Sequence, residues 1–97
     1  MRHDPEKEKQ YKKELLEMLS QMAADKRQLS DFLHDILTPA EYREIATRWQ
    51  IVKKLADQEG HRTIASELGI GVSTVNRGSR MLLNPQGGFN QALRKAK

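Results

Sequence analysis

The sequence predicts an all-α fold, and three observations support this prediction. Apolar residues recur at intervals of three and four in successive stretches, as they do along one face of a helix. Threonine, proline and glutamate at 38, 39 and 41 form a strong helix start, and no stretch alternates as a strand does. Only 37% of the 97 residues are hydrophobic. A lone chain of this size and composition is marginal, so we expect a homodimer.

The first two helices are predicted to form a dimerisation region, residues 1–37. The first runs from Glu6 to Ala24 and has a narrow apolar stripe of Tyr11, Leu15, Met18, Leu19 and Met22. Asp25 is placed to cap the second helix. The stripe of this second helix comprises Leu29, Phe32, Leu33, Ile36 and Leu37.

A longer core helix is predicted over residues 38–58. Thr38 is the N-cap, Pro39 occupies the first helical position, and Glu41 completes a capping box. The helix is expected to continue to about Gln58. Its predicted buried face consists of Ile45, Ala46, Trp49, Val52, Leu55 and Ala56.

Residues 61–82 have the pattern of a helix-turn-helix. The first helix carries an apolar stripe of Ile64, Ala65 and Leu68. Gly69 is expected to end it, Ile70 to fill the turn and Gly71 to cap the next helix. Val72 and Val75 are predicted to pack where the two helices cross. The second helix could then enter a DNA major groove.

The outward side of this second helix is entirely polar and contains no acid, with Ser73, Thr74, Asn76, Arg77 and Arg80. Residues 61–97 carry six basic residues against Glu67 alone, a net charge of +5. Such a surface favours the phosphates of double-stranded DNA as a partner. The alternatives are a basic helical module that binds a protein or RNA, and a helical hairpin packed inside an all-α domain.

The remaining residues, 83–97, form a tail. Asn84, Pro85, Gly87 and Gly88 break the preceding helix. Phe89 and Leu93 could then anchor a closing helix, or the tail could be a mobile basic arm. Together these segments predict a single helix-turn-helix DNA-binding domain over residues 1–97.

Several protein classes are disfavoured. There is no cysteine, and His3, His34 and His61 lack ligand spacing, so no metal site is expected. No serine has a plausible base nearby and no glycine loop could cradle a phosphate, so we do not expect an enzyme. The amino terminus has no apolar run and no stretch approaches a membrane span of roughly 20 residues. We therefore expect a cytoplasmic protein.

Two stretches, LTPAEYREIATRWQIVKKL and ELGIGVSTVNRGSRML, together resemble the tryptophan repressor family. The match covers residues 37–82, with Thr-Pro at 38–39, Thr-Arg at 47–48 and Arg-Gly-Ser at 77–79 as its most specific parts. The resemblance implies an intertwined helical homodimer with a helix-turn-helix reading head. It also implies a sequence-specific transcriptional repressor that binds operator DNA when its corepressor, L-tryptophan, is bound.

The same resemblance implies roles for individual residues. Arg48 would stack on one side of the indole, and Arg77 would stack on the other side and reach the carboxylate. The other implied ligand contacts are Thr38 for the carboxylate, backbone carbonyls near Asp35 and Leu37 of the second subunit for the ammonium group, and Thr74 and Gly78 along the indole edge. The predicted DNA contacts are Arg62, which would reach a guanine, with Ser73, Thr74, Asn76 and Arg80.

Two positions depart from the family pattern. Met81 stands where a serine often lies beside the amino group of the ligand, and Ala65 stands where a lysine contacts DNA. The connection from Ala56 to Thr63 is also one residue shorter than in the best-known members. Ala65 bears only on the operator sequence. Met81 bears on the ligand, so a helix-turn-helix regulator of the same fold that responds to another ligand, or to none, is the alternative function.

Overall fold

The computed structural model describes residues 3–96, and this part of the chain contains six α-helices and no strand. The prediction of an all-α fold is confirmed. The helices are α1 (Pro5–Met22), α2 (Lys26–Ile36), α3 (Pro39–Ala56), α4 (His61–Leu68), α5 (Val72–Met81) and α6 (Gly88–Ala96). The chain divides into two compact units, one ending at Tyr42 and the other beginning at Arg43.

In the first unit, α1 packs against α2, and both helices have side-chain caps. The Asp4 carboxylate accepts the amide N–H of Glu6 at 3.0 Å, and the predicted cap Asp25 accepts that of Arg27 at 2.9 Å. However, neither helix contains a buried residue. Tyr11, for example, is 63% exposed. The apolar stripe of α1 thus remains largely open in the single chain.

The predicted capping box at the start of α3 is confirmed. The Thr38 amide N–H donates to Glu41 Oε1 at 2.8 Å, and the Glu41 amide donates back to Thr38 Oγ1 at 3.1 Å. Pro39 is the first helical residue. The hydrogen bond from the Thr38 backbone lowers the pKa of the Glu41 carboxyl group.

Helix α3 ends at Ala56, two residues before the predicted end at Gln58. Gln58 has a left-handed backbone conformation, with φ of 64°. Its N–H donates to the Leu55 carbonyl at 2.9 Å, and the next N–H, of Glu59, donates to the Lys54 carbonyl at 3.1 Å. These two bonds form a Schellman motif, which satisfies the last carbonyls of the helix and stops it.

A second Schellman motif ends α4 at the turn before α5, and here the residue with positive φ is a glycine. Gly69 has φ of 65°, and the N–H of Ile70 donates to the Ala65 carbonyl at 3.0 Å. Gly71 is the N-cap of α5, and Ile70 packs against the core. The predicted helix break, turn residue and cap are therefore confirmed.

The core of the second unit lies where α3 meets α4 and α5. It is a cluster of Ile51, Ile64, Ala65 and Val75, against which Leu55, Leu68 and Ile70 pack. Val52 is also fully buried, as predicted.

Four predicted core positions are wrong, because Ile45, Ala46, Ala56 and Val72 are exposed. Helix α3 contributes Ile51 and Leu55 to the cluster, so in this unit the core covers only one stretch of the helix. In α5 the cluster includes Val75, while Val72, in the first turn, is 39% exposed.

The tail forms a helix, α6, so of the two alternatives for residues 83–97 the structure has the closing helix over Gly88–Ala96. Phe89 and Leu93 are half-buried, as expected of anchoring residues.

An ion pair joins α3 to α4 and makes their junction sensitive to acid. Lys54 Nζ lies 2.6 Å from Glu67 Oε2 and 3.6 Å from Glu59 Oε2. The hydrogen bond from Lys54 lowers the pKa of the Glu67 carboxyl group below its ordinary value of 4.5, and the same bond raises the pKa of Lys54.

We expect Glu67→Gln to reduce the loss of stability on acidification. A carboxyl group whose pKa is lowered by folding stabilises the protein above its unfolded pKa, and that contribution disappears as the pH falls through the folded value. The check is the change in Tm between neutral pH and a pH below 4.5, with the exposed Glu14→Gln on α1 as the control. An equal change in Tm for the two variants would contradict the assignment.

Candidate ligand cleft and nucleic-acid interface

An open cleft of about 970 Å³ lies in the second unit, lined by α3, α5 and the segment that leads into α6. Its volume is typical of a small-molecule site. The lining residues are Glu44, Arg48 and Ile51 from α3, Ser73, Thr74, Arg77, Gly78, Arg80 and Met81 from α5, and Asn84, Gly87, Gly88 and Phe89.

The cleft combines apolar surface with positive charge. Ile51, Met81 and Phe89 supply apolar groups, and three arginines, at 48, 77 and 80, supply cations. The guanidinium of Arg48 donates to Glu44 Oε1 at 2.8 Å, one turn earlier on α3. A flat apolar anion suits such a lining, because guanidinium groups both stack on rings and bind carboxylates.

Helix α5 approaches α3 closely at Gly78. A Cβ added at Gly78 would lie 3.1 Å from Cγ2 of Ile51 and 3.5 Å from Cδ1 of Leu55. Side chains of α3 lie next to this glycine, so Gly78 sets the distance between two walls of the cleft. Its contact with the edge of a ligand, expected from the sequence, stays a prediction.

Side chains of α6 hold residues 82–87, the segment that leads into the third wall of the cleft at residues 84–89. Asn90 Nδ2 donates to the carbonyls of Leu82 at 3.0 Å and Asn84 at 2.8 Å. Gln91 Nε2 donates to the Gln86 carbonyl at 2.8 Å, and Arg94 donates to the Pro85 carbonyl at 3.1 Å. A segment without regular structure is thereby held in place by three side chains of one helix.

The exposed side of α4 and α5 is polar, and one hydrogen bond links the two helices across it. His61 Nδ1 lies 2.8 Å from Asn76 Oδ1. Because an amide oxygen can only accept, the imidazole donates through Nδ1. The amide nitrogen of Asn76 keeps its N–H donors for other partners. Four other polar residues of these two helices are exposed, namely Arg62, Ser73, Thr74 and Arg80.

Comparison with known protein families shows which family has this sequence pattern. The family described as Trp repressor protein matches residues 10–97. The chain belongs to the Trp repressor family. This is a family of DNA-binding helical regulators and not of enzymes. No solved structure matches the chain.

Membership of the Trp repressor family confirms the resemblance, and the match extends well beyond residues 37–82. It includes α2 and α6 and most of α1. The two upstream helices therefore belong to the family pattern as well.

The predicted ligand residues of this Trp repressor family member divide into two groups. Arg48, Thr74, Arg77 and Gly78 line one cleft. The other three, Asp35, Leu37 and Thr38, lie in the first unit. Asp35 is exposed, Leu37 is half-buried and follows α2, and the Thr38 hydroxyl accepts the capping bond from Glu41. That hydroxyl keeps its hydrogen for a further partner.

The predicted DNA residues also divide. Ser73, Thr74 and Arg80 line the cleft as well as belonging to the polar side of α5. Arg62 and Asn76 are not among the lining residues. The cleft and the predicted reading surface of this Trp repressor family member thus share one helix.

Sequence reasoning missed several cleft residues, namely Glu44, Ile51, Asn84, Gly87, Gly88 and Phe89. Glu44 had a usable signal, because a glutamate four residues before an arginine on a helix commonly pairs with it. The other wall, residues 84–89, had none, because its position depends on hydrogen bonds between α6 and the preceding segment.

No helix within residues 3–96 is both long enough and apolar enough to cross a membrane.

Proposed function

We propose that the protein is a sequence-specific transcriptional repressor that binds operator DNA when L-tryptophan occupies the cleft between α3 and α5. One observation carries this proposal. Arg48 of α3 and Arg77 of α5 line the same cleft, and the second of these helices is also the candidate reading helix.

In the proposed complex the indole ring lies between the two guanidinium groups and gains cation–π attraction on both faces. Arg77 also binds the carboxylate, with help from Thr38. Thr74 and Gly78 line the ring edge, and backbone carbonyls near Asp35 and Leu37 of a second subunit accept from the ammonium group.

The ligand would control DNA binding through the placement of α5. It would be wedged between α3, which belongs to the buried core, and the helix that carries Ser73, Thr74 and Asn76. The effect on DNA affinity can be no larger than the preference of the ligand for the DNA-competent conformation. As a repressor the protein would act in the cytoplasm, where operator DNA is found.

The test begins with selection of duplexes from a randomised DNA pool, with and without L-tryptophan. We expect an enriched two-fold sequence whose affinity rises when L-tryptophan is present. Equal affinity with and without the amino acid would instead favour a regulator that responds to another ligand or to none. Binding with a steep salt dependence and no sequence preference would favour a basic interaction module.

The arginine at the start of α4 is expected to read sequence. Arg62 is exposed and has no acidic neighbour in α4 before Glu67. Arg62→Ala should weaken binding to the selected duplex by about 1–3 kcal/mol if its guanidinium pairs with a guanine edge. Titration of a scrambled duplex is the control. Equal weakening on both duplexes would show that Arg62 contacts only phosphate.

We propose that the active form is a homodimer in which α1 and α2 supply much of the interface. The apolar residues Tyr11, Leu15, Leu16 and Met18 are all exposed in the single chain, and two-fold operators require a two-fold protein. Sedimentation equilibrium at micromolar concentration should give twice the mass of the chain. Tyr11→Arg combined with Leu15→Arg should shift the protein to monomer. A stable wild-type monomer would contradict the proposal.

A further inference from the structure

Among the described residues that line the cleft, Glu44 is the one acid, against three arginines. It pairs with Arg48 through Oε1 at 2.8 Å, and the side chains are 62% and 47% exposed. Among residues 3–96, the bond to Arg48 is the one hydrogen bond formed by the Glu44 carboxylate. Its second oxygen, Oε2, can therefore accept from a ligand without the loss of the Arg48 bond.

The acid of the cleft lies on a different wall from two of its three cations. Glu44 and its partner Arg48 belong to α3, and Arg77 and Arg80 belong to α5. A molecule that carries a carboxylate and an ammonium group can satisfy both signs at once. A carboxylate without an ammonium group gains the contacts with arginine but meets repulsion from Glu44.

We propose that Glu44 is the specificity-determining residue that makes the cleft select zwitterionic amino acids over aromatic carboxylates that lack the ammonium group. This inference rests on the proposed function, in which an aromatic amino acid occupies the cleft. An ammonium group has three N–H donors, so Glu44 accepts one of them through Oε2 beside the backbone carbonyls of the second subunit. Through Oε1 it keeps the Arg48 guanidinium oriented.

The pairing with Arg48 also allows the opposite effect, in which Glu44 competes with the ligand carboxylate for the arginine. The two effects have opposite signs. If Glu44 holds the ammonium group, its neutralisation weakens binding of the amino acid. If Glu44 only competes, its neutralisation strengthens binding.

The experiment is calorimetry of the full chain with L-tryptophan, indole-3-propionate and tryptamine. These probes carry both charged groups, the carboxylate alone and the ammonium alone. The variants are Glu44→Gln, which has the same size, and Asp57→Asn, which makes the same change of net charge at an exposed residue outside the cleft.

Glu44→Gln should weaken L-tryptophan binding about tenfold, as expected for one partly screened ionic hydrogen bond. It should weaken tryptamine similarly and leave indole-3-propionate unchanged or tighter. Asp57→Asn should change none of the three affinities. Circular dichroism checks that each of the two substitutions, both at exposed residues, leaves the helical content unchanged.

An unchanged ratio of L-tryptophan to indole-3-propionate affinity, or tighter L-tryptophan binding by Glu44→Gln, would overturn the role of Glu44 while the proposed function stands. Failure of the wild type to bind any of the three probes would overturn both. The two failures are thus distinguished by the wild-type titration alone.

Discussion

Arg77→Leu is expected to abolish L-tryptophan binding and L-tryptophan-dependent operator binding together. Leucine removes both the cation that would bind the carboxylate and the guanidinium that would stack on the indole. The combined loss should reduce ligand affinity by about a hundredfold or more. Arg77 is exposed on α5, so helical content and dimerisation should not change.

Calorimetry and operator titration check this prediction. Arg43→Leu is a suitable control, because it removes an exposed arginine of the same unit that does not line the cleft. If the Arg77 variant still binds operator in an L-tryptophan-dependent way, the corepressor assignment is wrong. A regulator that uses another ligand, or none, then becomes the better interpretation.

Val75→Ala is expected to destabilise the second unit by about 2 kcal/mol. Val75 is fully buried in the cluster with Ile51 and Ile64, and removal of its two methyl groups loses burial and leaves a cavity. This is a large part of the stability of a small domain.

Val72→Ala provides the matched control for this second prediction. The same methyl groups are removed from the same helix, but Val72 is 39% exposed, so a loss below about 1 kcal/mol is expected. The measurement is urea denaturation followed by circular dichroism. Equal losses for the two variants would mean that α5 packs on a different face.

The local features of the chain were predictable because short-range chemistry determines them. The Thr38–Glu41 capping box depends on four consecutive residues, and the break at Gly69 depends on the freedom of one residue to take a positive φ. Gln58 takes the same positive φ without being glycine, so the end of α3 could not be located by composition.

Burial was predicted less well, because periodicity identifies an apolar face without identifying what covers it. Val72 and Val75 both fit an apolar stripe, but only Val75 belongs to the core cluster. Ile45 is 49% exposed, although Ile51 farther along the same helix belongs to the core cluster. In an intertwined homodimer a second subunit would cover such residues, which is information that one chain does not contain.

For the cleft, the resemblance identified Arg48 and Arg77, and the structure places them along one cavity. Glu44 and the wall at residues 84–89 could not be identified in this way. Glu44 is indicated only by its spacing of four residues from Arg48, with which it pairs. The wall depends on how α6 positions the segment before it, through Asn90, Gln91 and Arg94.

The way in which α6 holds this wall has a consequence for how the two regions respond to acid. Its anchors are two amides and a guanidinium, and no carboxylate takes part in them. The junction of α3 with α4 relies instead on a carboxylate, Glu67, paired with Lys54. Acid strong enough to protonate Glu67, whose pKa lies below the ordinary 4.5, would therefore weaken the junction of α3 with α4 and leave the hydrogen bonds of the wall in place.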